Sequence, residues 1–374
     1  MAYIEINGAR IYYETFGQDR PGQAPVLLIH GSTVTGKGDW ELVAPLLAPH
    51  RRVIVPDCRG HGQSSNPNLS YSFKEMADDM AALVRLLGYE RAQVIGHSNG
   101  GNVALVMLME HPEVVQSAVL QAANAYVSQD LVDKEPAIFD PERVERESPG
   151  WKDSMIALHG DTHGPEYWRD LLRLTVQEII TQPCYTPEDL QQVLRPALVV
   201  QGQHDRVNAP ARHAQFIAQH IPYAELWIPP GVGHNVHLER LFEWIERIES
   251  FLDRRGDEAS EALYRLGVDR FADSREWIFD LQARINTVEH KVMLSGTVLV
   301  ENQRQAAIER LRGVVQAPVD GSAVSVFLND NTPWALVNWG VIDLRQEPSR
   351  RSEQVSQALL GEAVRILEDR GDWV

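Results

Sequence analysis

Short apolar runs alternate with stretches of helical periodicity over the first 254 residues, and this alternation restricts the fold more than any other feature. The apolar runs lie at 26–29, 53–55, 93–95, 117–120, 197–200 and 225–228. Between them, segments such as 73–87 and 102–110 carry apolar residues three or four positions apart, which is the period of an amphipathic helix. Strands alternating with helices connect by right-handed crossovers. The sequence therefore predicts an α/β domain with a mainly parallel sheet and helices on both faces.

Two segments depart from this alternation. Residues 2–6 and 9–15 alternate apolar with polar side chains around Asn7-Gly8, which predicts an antiparallel hairpin at the start of the chain. Residues 125–194 lack strand-like runs and contain helical segments such as 166–180. We expect this stretch to form a helical cap inserted over one edge of the sheet.

The last third of the chain has another architecture. A charged stretch ending near residue 257 marks the boundary. After it, 277–283, 291–300 and 323–328 read as strands and 303–314 as an amphipathic helix, followed by short strands from residue 334 onward. We therefore predict three parts: an α/β domain over 1–254, a small α+β domain of βαβ type over 258–330, and a β domain over 333–374.

Composition limits the classes of partner. With 52 acidic and 35 basic residues the net charge is -17, which argues against nucleic acid and anionic membranes and favours a small-molecule partner. Two cysteines are too few for a disulfide framework. The first residues have no basic leader, and no apolar run approaches the roughly 18 residues of a membrane span. We expect a cytoplasmic protein.

Ser98 is the candidate nucleophile. It is the centre of Gly96-His97-Ser98-Asn99-Gly100, which lies between a predicted strand and a predicted helix. A nucleophile on such a sharp strand-to-helix turn leaves no room for side chains two positions away, and glycine occupies both of those positions. The turn also directs the first amides of the helix at the space above Ser98, where an oxyanion would form.

A serine hydroxyl needs a base to take its proton and an acid to orient that base. Asp205 follows the strand at 197–200, and His234 follows the strand at 225–228. Both would lie at the carboxyl edge of the sheet, where open α/β sheets bind their ligands. The order Ser98, Asp205, His234 is the order expected for a catalytic triad on such a sheet.

Other polar residues near these loops have weaker claims. We expect His237 to lie in the last helix, either packed or on the surface, and His204 to brace the loop of the acid. Asp57 follows an early strand, and we expect it to pair with Arg59 and hold that turn.

The remaining site residues concern the oxyanion and the substrate. We assign the oxyanion donors to the backbone amides of Ser32 and Asn99. His30, Trp151 and Trp168 are candidates for substrate binding, although loop anchoring for His30 and cap packing for the two tryptophans are equally open.

We expect no cofactor and no metal ion. His159 and His163 are four residues apart with an Asp between them, but they have no obvious third ligand in what we expect to be a cap loop. Nothing near Cys58 or Cys184 suggests a lowered pKa for either thiol.

Residues 1–254 resemble the α/β-hydrolase superfamily, in particular its capped serine esterases, lactonases and carbon–carbon bond hydrolases. The motifs that carry the resemblance are His30-Gly31, Asp57-x-Arg-Gly-x-Gly-x-Ser64, Gly96-x-Ser98-x-Gly100, Gly202-x-x-Asp205 and Gly233-His234. Serine at position 98 departs from the aspartate of dehalogenases and epoxide hydrolases. The resemblance implies acyl-serine chemistry, in which Ser98 attacks a carbonyl, His234 moves the proton and water releases the acyl group.

The end of the chain resembles the SH3-like region of bacterial cell-wall cysteine peptidases. The residues concerned are Asp343-Leu344-Arg345, Glu347-Pro348-Ser349, Gln357-x-Leu359-Leu360-Gly361-Glu362 and Gly371-Asp372-Trp373-Val374. Such peptidases place a catalytic cysteine after this region, whereas Cys184 is the last cysteine of this sequence. We expect a partial SH3-like domain that is cut short, with no second catalytic domain.

Three functions follow as hypotheses. The leading one is a serine hydrolase acting on a small carboxylic ester or lactone. A carbon–carbon bond or amide hydrolase would use the same three residues. A protein that binds cell-wall peptide through its C-terminal region belongs to a different class, and that location would conflict with a cytoplasmic one.

Overall fold

The computed structural model describes most of the chain. The described residues are 2–20, 23–210, 212–222, 224–254, 258–271, 278–286, 291–315, 318–328, 334–336, 341–345, 354–359 and 363–365. The chain divides into two compact units, Met1–Asp257 and Glu258–Val374.

The first unit contains an eight-stranded sheet with the order β1-β2-β4-β3-β5-β6-β7-β8. Its strands are β1 (Ala2–Ile6), β2 (Ala9–Phe16), β3 (Val26–Ile29), β4 (Val53–Pro56), β5 (Ala92–His97), β6 (Val115–Gln121), β7 (Ala197–Val200) and β8 (Ala224–Trp227). β2 is antiparallel to β1 and to β4, and every later pairing is parallel. The strands predicted for this unit are all present, with ends within two residues of the prediction.

Helices cover both faces of this sheet. They are α1 (Gly36–Trp40), α2 (Ala44–Leu47), α3 (Phe73–Leu86), α4 (Asn99–Glu110), α10 (Ala214–His220), α11 (Val236–Glu239) and α12 (Leu241–Arg254). The longer ones follow local signals: α3 begins where the Ser72 side chain accepts a hydrogen bond from the Glu75 amide, and Met76, Met80 and Leu83 bury one face.

Alternate side chains of the central strands point to opposite faces of the sheet and pack into two separate hydrophobic cores. Leu27 and Ile29 of β3 pack into the core beneath α3, α4 and the cap, whereas Val26 and Leu28 pack into the core beneath α2 and α12. Burial on both faces explains why these strands read as unbroken apolar runs in the sequence. The predicted α/β class, with a mainly parallel sheet, is confirmed.

The cap consists of five helices between β6 and β7: α5 (Gln129–Ile138), α6 (Pro141–Glu147), α7 (Pro149–His163), α8 (Tyr167–Ile179) and α9 (Pro187–Leu190). Its apolar faces join the same core as α3 and α4, through buried residues such as Leu131, Met155 and Leu171. The cap therefore shares its hydrophobic core with one face of the sheet.

The second unit begins with α13 (Glu258–Phe271), β9 (Phe279–Asn286), β10 (Lys291–Val300), α14 (Glu301–Val314) and β11 (Val319–Leu328). β10 pairs in parallel with β11, as a β-α-β connection requires, and antiparallel with β9. Leu263, Leu294 and Leu311 lie in its core. β11 begins four residues before the predicted strand.

Short strands follow in the rest of the chain. β12 (Trp334–Leu336) pairs with β15 (Ala363–Arg365), and β13 (Val341–Arg345) pairs with β14 (Gln354–Leu359). The predicted motif at 371–374 and the segments between these strands lie outside the described residues. Among the described helices, none combines the length and the apolarity that a membrane span requires.

Candidate active site

Ser98 occupies a strained turn between β5 and α4. Its φ of 55° and ψ of -120° are unusual for a residue with a side chain. A Cβ on Gly96 would overlap the Gly100 carbonyl oxygen, and a Cβ on Gly100 would overlap the carbonyl oxygen of Ile29 in β3. Both glycines are therefore sterically required. The turn has the geometry of a nucleophile elbow.

Asp205 and His234 are hydrogen-bonded to each other. His234 Nδ1 donates to Asp205 Oδ2 over 2.8 Å, while Asp205 Oδ1 accepts from the Val207 and Asn208 amides. Burial alone would raise the pKa of Asp205, but the contact with His234 and the two amides outweigh it and hold that pKa below its usual range. Asp205 therefore stays ionised, and the bond leaves Nε2 of His234 free to accept a proton.

The loops of the acid and of the histidine touch at two glycines. A Cβ on Gly202 would overlap the Gly233 carbonyl oxygen. In addition, the His204 amide donates to the Val232 carbonyl over 2.8 Å. This close approach of two backbones brings Asp205 within reach of His234, and it gives position 202 a steric requirement for glycine.

His234 lies beside the elbow. Its ring centroid is 5.1 Å from that of His97, the residue before Ser98. Ser98 Oγ makes no hydrogen bond to another described residue, and such bonds are often long or misaligned before substrate binds.

The turn after β3 contains Ser32 and borders the nucleophile. A Cβ added to Gly31 would lie 3.4 Å from Cβ of Ser98, so this backbone runs directly past the elbow. The Gly31 amide donates to Asp39, whereas the Asn99 amide lies in the first turn of α4. The backbone of Gly31, the residue before Ser32, is thus next to Ser98 in space, and Asn99 follows Ser98 in sequence.

Asp39 is a buried acid that the sequence analysis missed. Its Oδ2 accepts hydrogen bonds from the Gly31 amide and from Nδ1 of His97, each over 2.9 Å. Its Oδ1 is 3.3 Å from Nε2 of His237. Burial opposes ionisation, but the two histidines outweigh it and hold the pKa of Asp39 well below its ordinary value. The only signal in the sequence was an acid directly before Trp40, in a glycine-containing segment that the structure shows to be α1.

His237 belongs to this network and is fully buried in α11. The Gln121 side-chain amide donates to its Nδ1 over 2.7 Å, and Trp244 Nε1 donates to the oxygen of the same amide. The ligand atoms of Asp39, His97 and His237 lie within 4.8 Å of one another, close enough in principle for a metal ion. One oxygen of the carboxylate accepts hydrogen bonds from the Gly31 amide and from His97, and the other oxygen lies 3.3 Å from Nε2 of His237, so the three side chains are in direct contact with one another.

The cap reaches the turn after β3 through α7. Trp151 Nε1 donates to Thr33 Oγ1 over 3.2 Å. His159 Nε2 donates to the Thr33 carbonyl over 3.1 Å, and its Nδ1 accepts from the Gly62 amide over 2.8 Å. Thr33 has a φ of 58°. The prediction that His159 lies in a loop is wrong: it is buried inside a helix, and both of its ring nitrogens are occupied.

Two candidates for substrate binding lie away from open space. His30 is 2% exposed; its Nε2 accepts from the Cys58 amide and its Nδ1 donates to the Gly31 carbonyl, so no ring nitrogen is free. Trp168 is also 2% exposed and packs in the cap core beneath the Arg169 guanidinium. His30 anchors a loop and Trp168 fills the cap, whereas Trp151 remains half-buried beside Thr33.

The predicted pair of Asp57 and Arg59 is wrong. Asp57 accepts from the Gly36 and Gln63 amides. Arg59 turns the other way and forms a two-pronged ion pair with the buried Asp79 in α3. A planar guanidinium matches two carboxylate oxygens, and Asp79 offers both while Asp57 is occupied by backbone amides. The loop is structural through these longer-range contacts.

The two cysteines differ in their exposure to solvent. Cys58 is buried, and burial raises the pKa of its thiol. Cys184 is exposed between α8 and α9, at the end of the cap. The Cys58 thiol therefore lacks the lowered pKa of a reactive nucleophile.

The comparisons with known proteins agree with this geometry. Residues 24–180 match the family model of the alpha/beta hydrolase fold, and residues 344–374 match that of the bacterial dipeptidyl-peptidase Sh3 domain. The N-terminal region has the alpha/beta hydrolase fold. The predicted family of this region and the predicted SH3-like C-terminal region are thereby confirmed.

Relatives of this α/β hydrolase have several activities in their names. Serine hydrolase BPHL of Homo sapiens is 28% identical over 267 residues, covering 67% of this chain and 86% of the relative. The 2-hydroxy-6-oxo-6-(2'-aminophenyl)hexa-2,4-dienoic acid hydrolase of Metapseudomonas resinovorans is 28% identical, covering 68% and 91%. The solved structure of Est816, described as an N-acyl homoserine lactone degrading enzyme, is 28% identical with a TM-score of 0.53, covering 67% of this chain and all of that one.

Proposed function

We propose that the hydrolase unit cleaves a small carboxylic ester or lactone through an acyl-serine intermediate, with Ser98 as nucleophile, His234 as base and Asp205 as the orienting acid. The observation that carries this proposal is the 2.8 Å hydrogen bond from His234 to Asp205 beside a serine on a strained elbow.

In the first step, Ser98 Oγ attacks the substrate carbonyl carbon while His234 Nε2 takes the hydroxyl proton. Asp205 holds the imidazole by its Nδ1–H and stabilises the imidazolium that forms. The backbone amides of Asn99 and Ser32 donate to the oxyanion. His234 then gives its proton to the leaving alcohol oxygen as the carbon–oxygen bond breaks.

In the second step, His234 removes a proton from a water molecule, whose oxygen attacks the acyl carbon. The second tetrahedral intermediate collapses, the bond to Ser98 Oγ breaks, and His234 returns the proton to that oxygen. The products are a carboxylic acid and an alcohol, and the enzyme is regenerated. Ring opening of a lactone leaves both groups on one product.

Carbon–carbon bond hydrolysis is the second candidate. Two relatives that are 27–28% identical are named as hydrolases of 2-hydroxy-6-oxo-dienoic acids. The same three residues would serve it. A panel of p-nitrophenyl esters of increasing chain length, assayed beside vinylogous diketones, separates the two candidates by which substrate turns over.

Covalent labelling tests the nucleophile. We expect a fluorophosphonate probe to label the wild type and to label Ser98→Ala not at all, because only Ser98 is activated by a base. Ser154→Ala, which removes an exposed serine hydroxyl in α7, is the matched control and should label like the wild type. Persistent labelling of Ser98→Ala would refute this assignment.

A further inference from the structure

Glu135 is a buried carboxylate to which the proposed mechanism gives no role. It lies in α5 of the cap and is 6% exposed. Its side chain has no hydrogen bond or ion pair with any described residue. An unpaired buried carboxylate is costly, because burial removes the water that would solvate the charge. A group of this kind in a cap helix calls for a ligand.

The inward face of α5 contains Glu135. Leu131, Glu135 and Phe139 recur four residues apart and are buried, whereas the residues at 132–134 and 136–138 are exposed. This spacing puts the three side chains on one face of the helix. The sequence offered that signal, a single carboxylate between two apolar residues at helical spacing.

Both ends of α5 are fixed beside the proposed catalytic groups. At its start, Asp130 forms an ion pair with Arg212, seven residues beyond Asp205. At its end, the Phe139 ring lies 5.6 Å from that of Trp151, which donates to Thr33 in the turn after β3. The inward face of α5 therefore extends from the loop of the acid to the turn that contains Ser32.

The position of Glu135 between these ends agrees with its electrostatics. Burial raises the pKa of Glu135, and the nearby His234 opposes part of that increase. This direction agrees with the geometry of α5, whose two ends lie beside the loop of Asp205 and the turn after β3.

We propose that Glu135 binds a cationic group of the substrate, so that the favoured ester or lactone carries an ammonium group. This inference rests on the proposed function. A cation satisfies a buried carboxylate more fully than a neutral donor does, and a chain with net charge -17 attracts cations. The same carboxylate would repel acidic substrates such as those in the names of the carbon–carbon bond hydrolases.

Three p-nitrophenyl esters of equal chain length test this inference. They end in trimethylammonium, in its neutral isostere tert-butyl, and in carboxylate. We expect the wild type to favour the trimethylammonium ester over the tert-butyl ester by at least about tenfold in kcat/KM, and to cleave the carboxylate ester most slowly. Equal rates for the first two esters would overturn the proposal.

Two variants assign the preference to Glu135. Glu135→Gln keeps the shape and removes the charge, so the trimethylammonium and tert-butyl esters should become equal. Asp133→Asn removes an exposed carboxylate from the same helix and should keep the wild-type ratio. A preference that survives in Glu135→Gln, or that is lost in Asp133→Asn, would contradict the assignment.

A binding measurement separates this proposal from the proposed function. If the wild type cleaves none of the esters, the proposed function fails, but butyltrimethylammonium can still be titrated into the wild type by calorimetry. Saturable heat in the wild type that disappears in Glu135→Gln supports the cation site. No saturable binding to the wild type overturns it, whatever the folding of the variant.

Discussion

A single carboxylate, that of Asp39, joins three loops that are far apart in the sequence. It accepts from Gly31 in the turn after β3 and from His97 at the elbow, and it faces His237 in α11. Residues around the proposed nucleophile, base and oxyanion donor are thereby held by one buried anion. An amide in its place could accept one of these hydrogen bonds but would present N–H groups to another donor.

We therefore expect Asp39→Asn to destabilise the protein and to lower kcat with little change in KM. Loss of a buried, charged acceptor costs about 3 kcal/mol of unfolding free energy. The same loss would displace the turn after β3, and we expect this to slow the chemical step more than it weakens substrate binding. Urea denaturation and steady-state kinetics measure the two effects.

Asp78→Asn is the matched control for Asp39→Asn. Asp78 also accepts from a histidine, His111, but it is a partly exposed residue of α3. The control should cost under about 1 kcal/mol and leave kcat unchanged. Equal effects of the two substitutions would contradict a special role for Asp39.

Among the elements, α7 connects the cap to the loops at the edge of the sheet through Trp151 and through the imidazole of His159. His159 bridges the Gly62 amide and the Thr33 carbonyl as a neutral ring. Burial lowers its pKa to about 4. Below pH 6.5, the ordinary pKa of histidine, this side chain binds a proton in the unfolded chain but stays neutral in the folded protein. The contribution of His159 to stability is therefore complete above pH 6.5 and is lost as the pH falls toward 4.

His159→Gln has no titrating ring, so its stability should depend less on pH in this range. Between pH 7 and pH 4 we expect the wild type to lose about 2–3 kcal/mol more unfolding free energy than the variant. Urea denaturation at both pH values measures the difference, and His50→Gln, which changes an exposed histidine, should behave like the wild type. If His159→Gln and the wild type lose the same unfolding free energy between pH 7 and pH 4, His159 does not make stability depend on pH.

The elements themselves were largely predictable, and the long-range pairs were not. In the first unit, strand ends fell within two residues of the prediction because β3 to β7 are buried on both faces and bounded by turn residues. The elbow was predictable because steric limits at Gly96 and Gly100 are local. The partners of Asp39 and Arg59 lie 8 to 198 residues away, and spacing along the chain carries no information about which side chains packing brings together.

At the scale of the whole molecule, the chain has two compact units with separate hydrophobic cores. All the groups of the proposed catalytic site lie in the first unit, and the SH3 match lies in the second. The proposed three-part division at 1–254, 258–330 and 333–374 places two domains within that second unit.

We expect a chain ending at residue 257 to retain ester hydrolysis, with kcat/KM within about twofold of the full chain, because Ser98, Asp205 and His234 all belong to the first unit. If the C-terminal region contacts cell-wall peptide, the full chain should sediment with purified peptidoglycan and the shortened chain should not. Loss of hydrolysis on shortening would show that the units depend on each other. Failure of the full chain to sediment would remove the cell-wall hypothesis.

The contrast between the two cysteines offers a practical consequence. Cys58 is buried in the loop after β4, whereas Cys184 is exposed where α8 leads into α9. The natural sequence therefore provides a unique attachment point for a thiol-reactive fluorophore on the cap. A reporter at that position can follow the movement of the cap relative to the sheet during turnover, without any engineered residue.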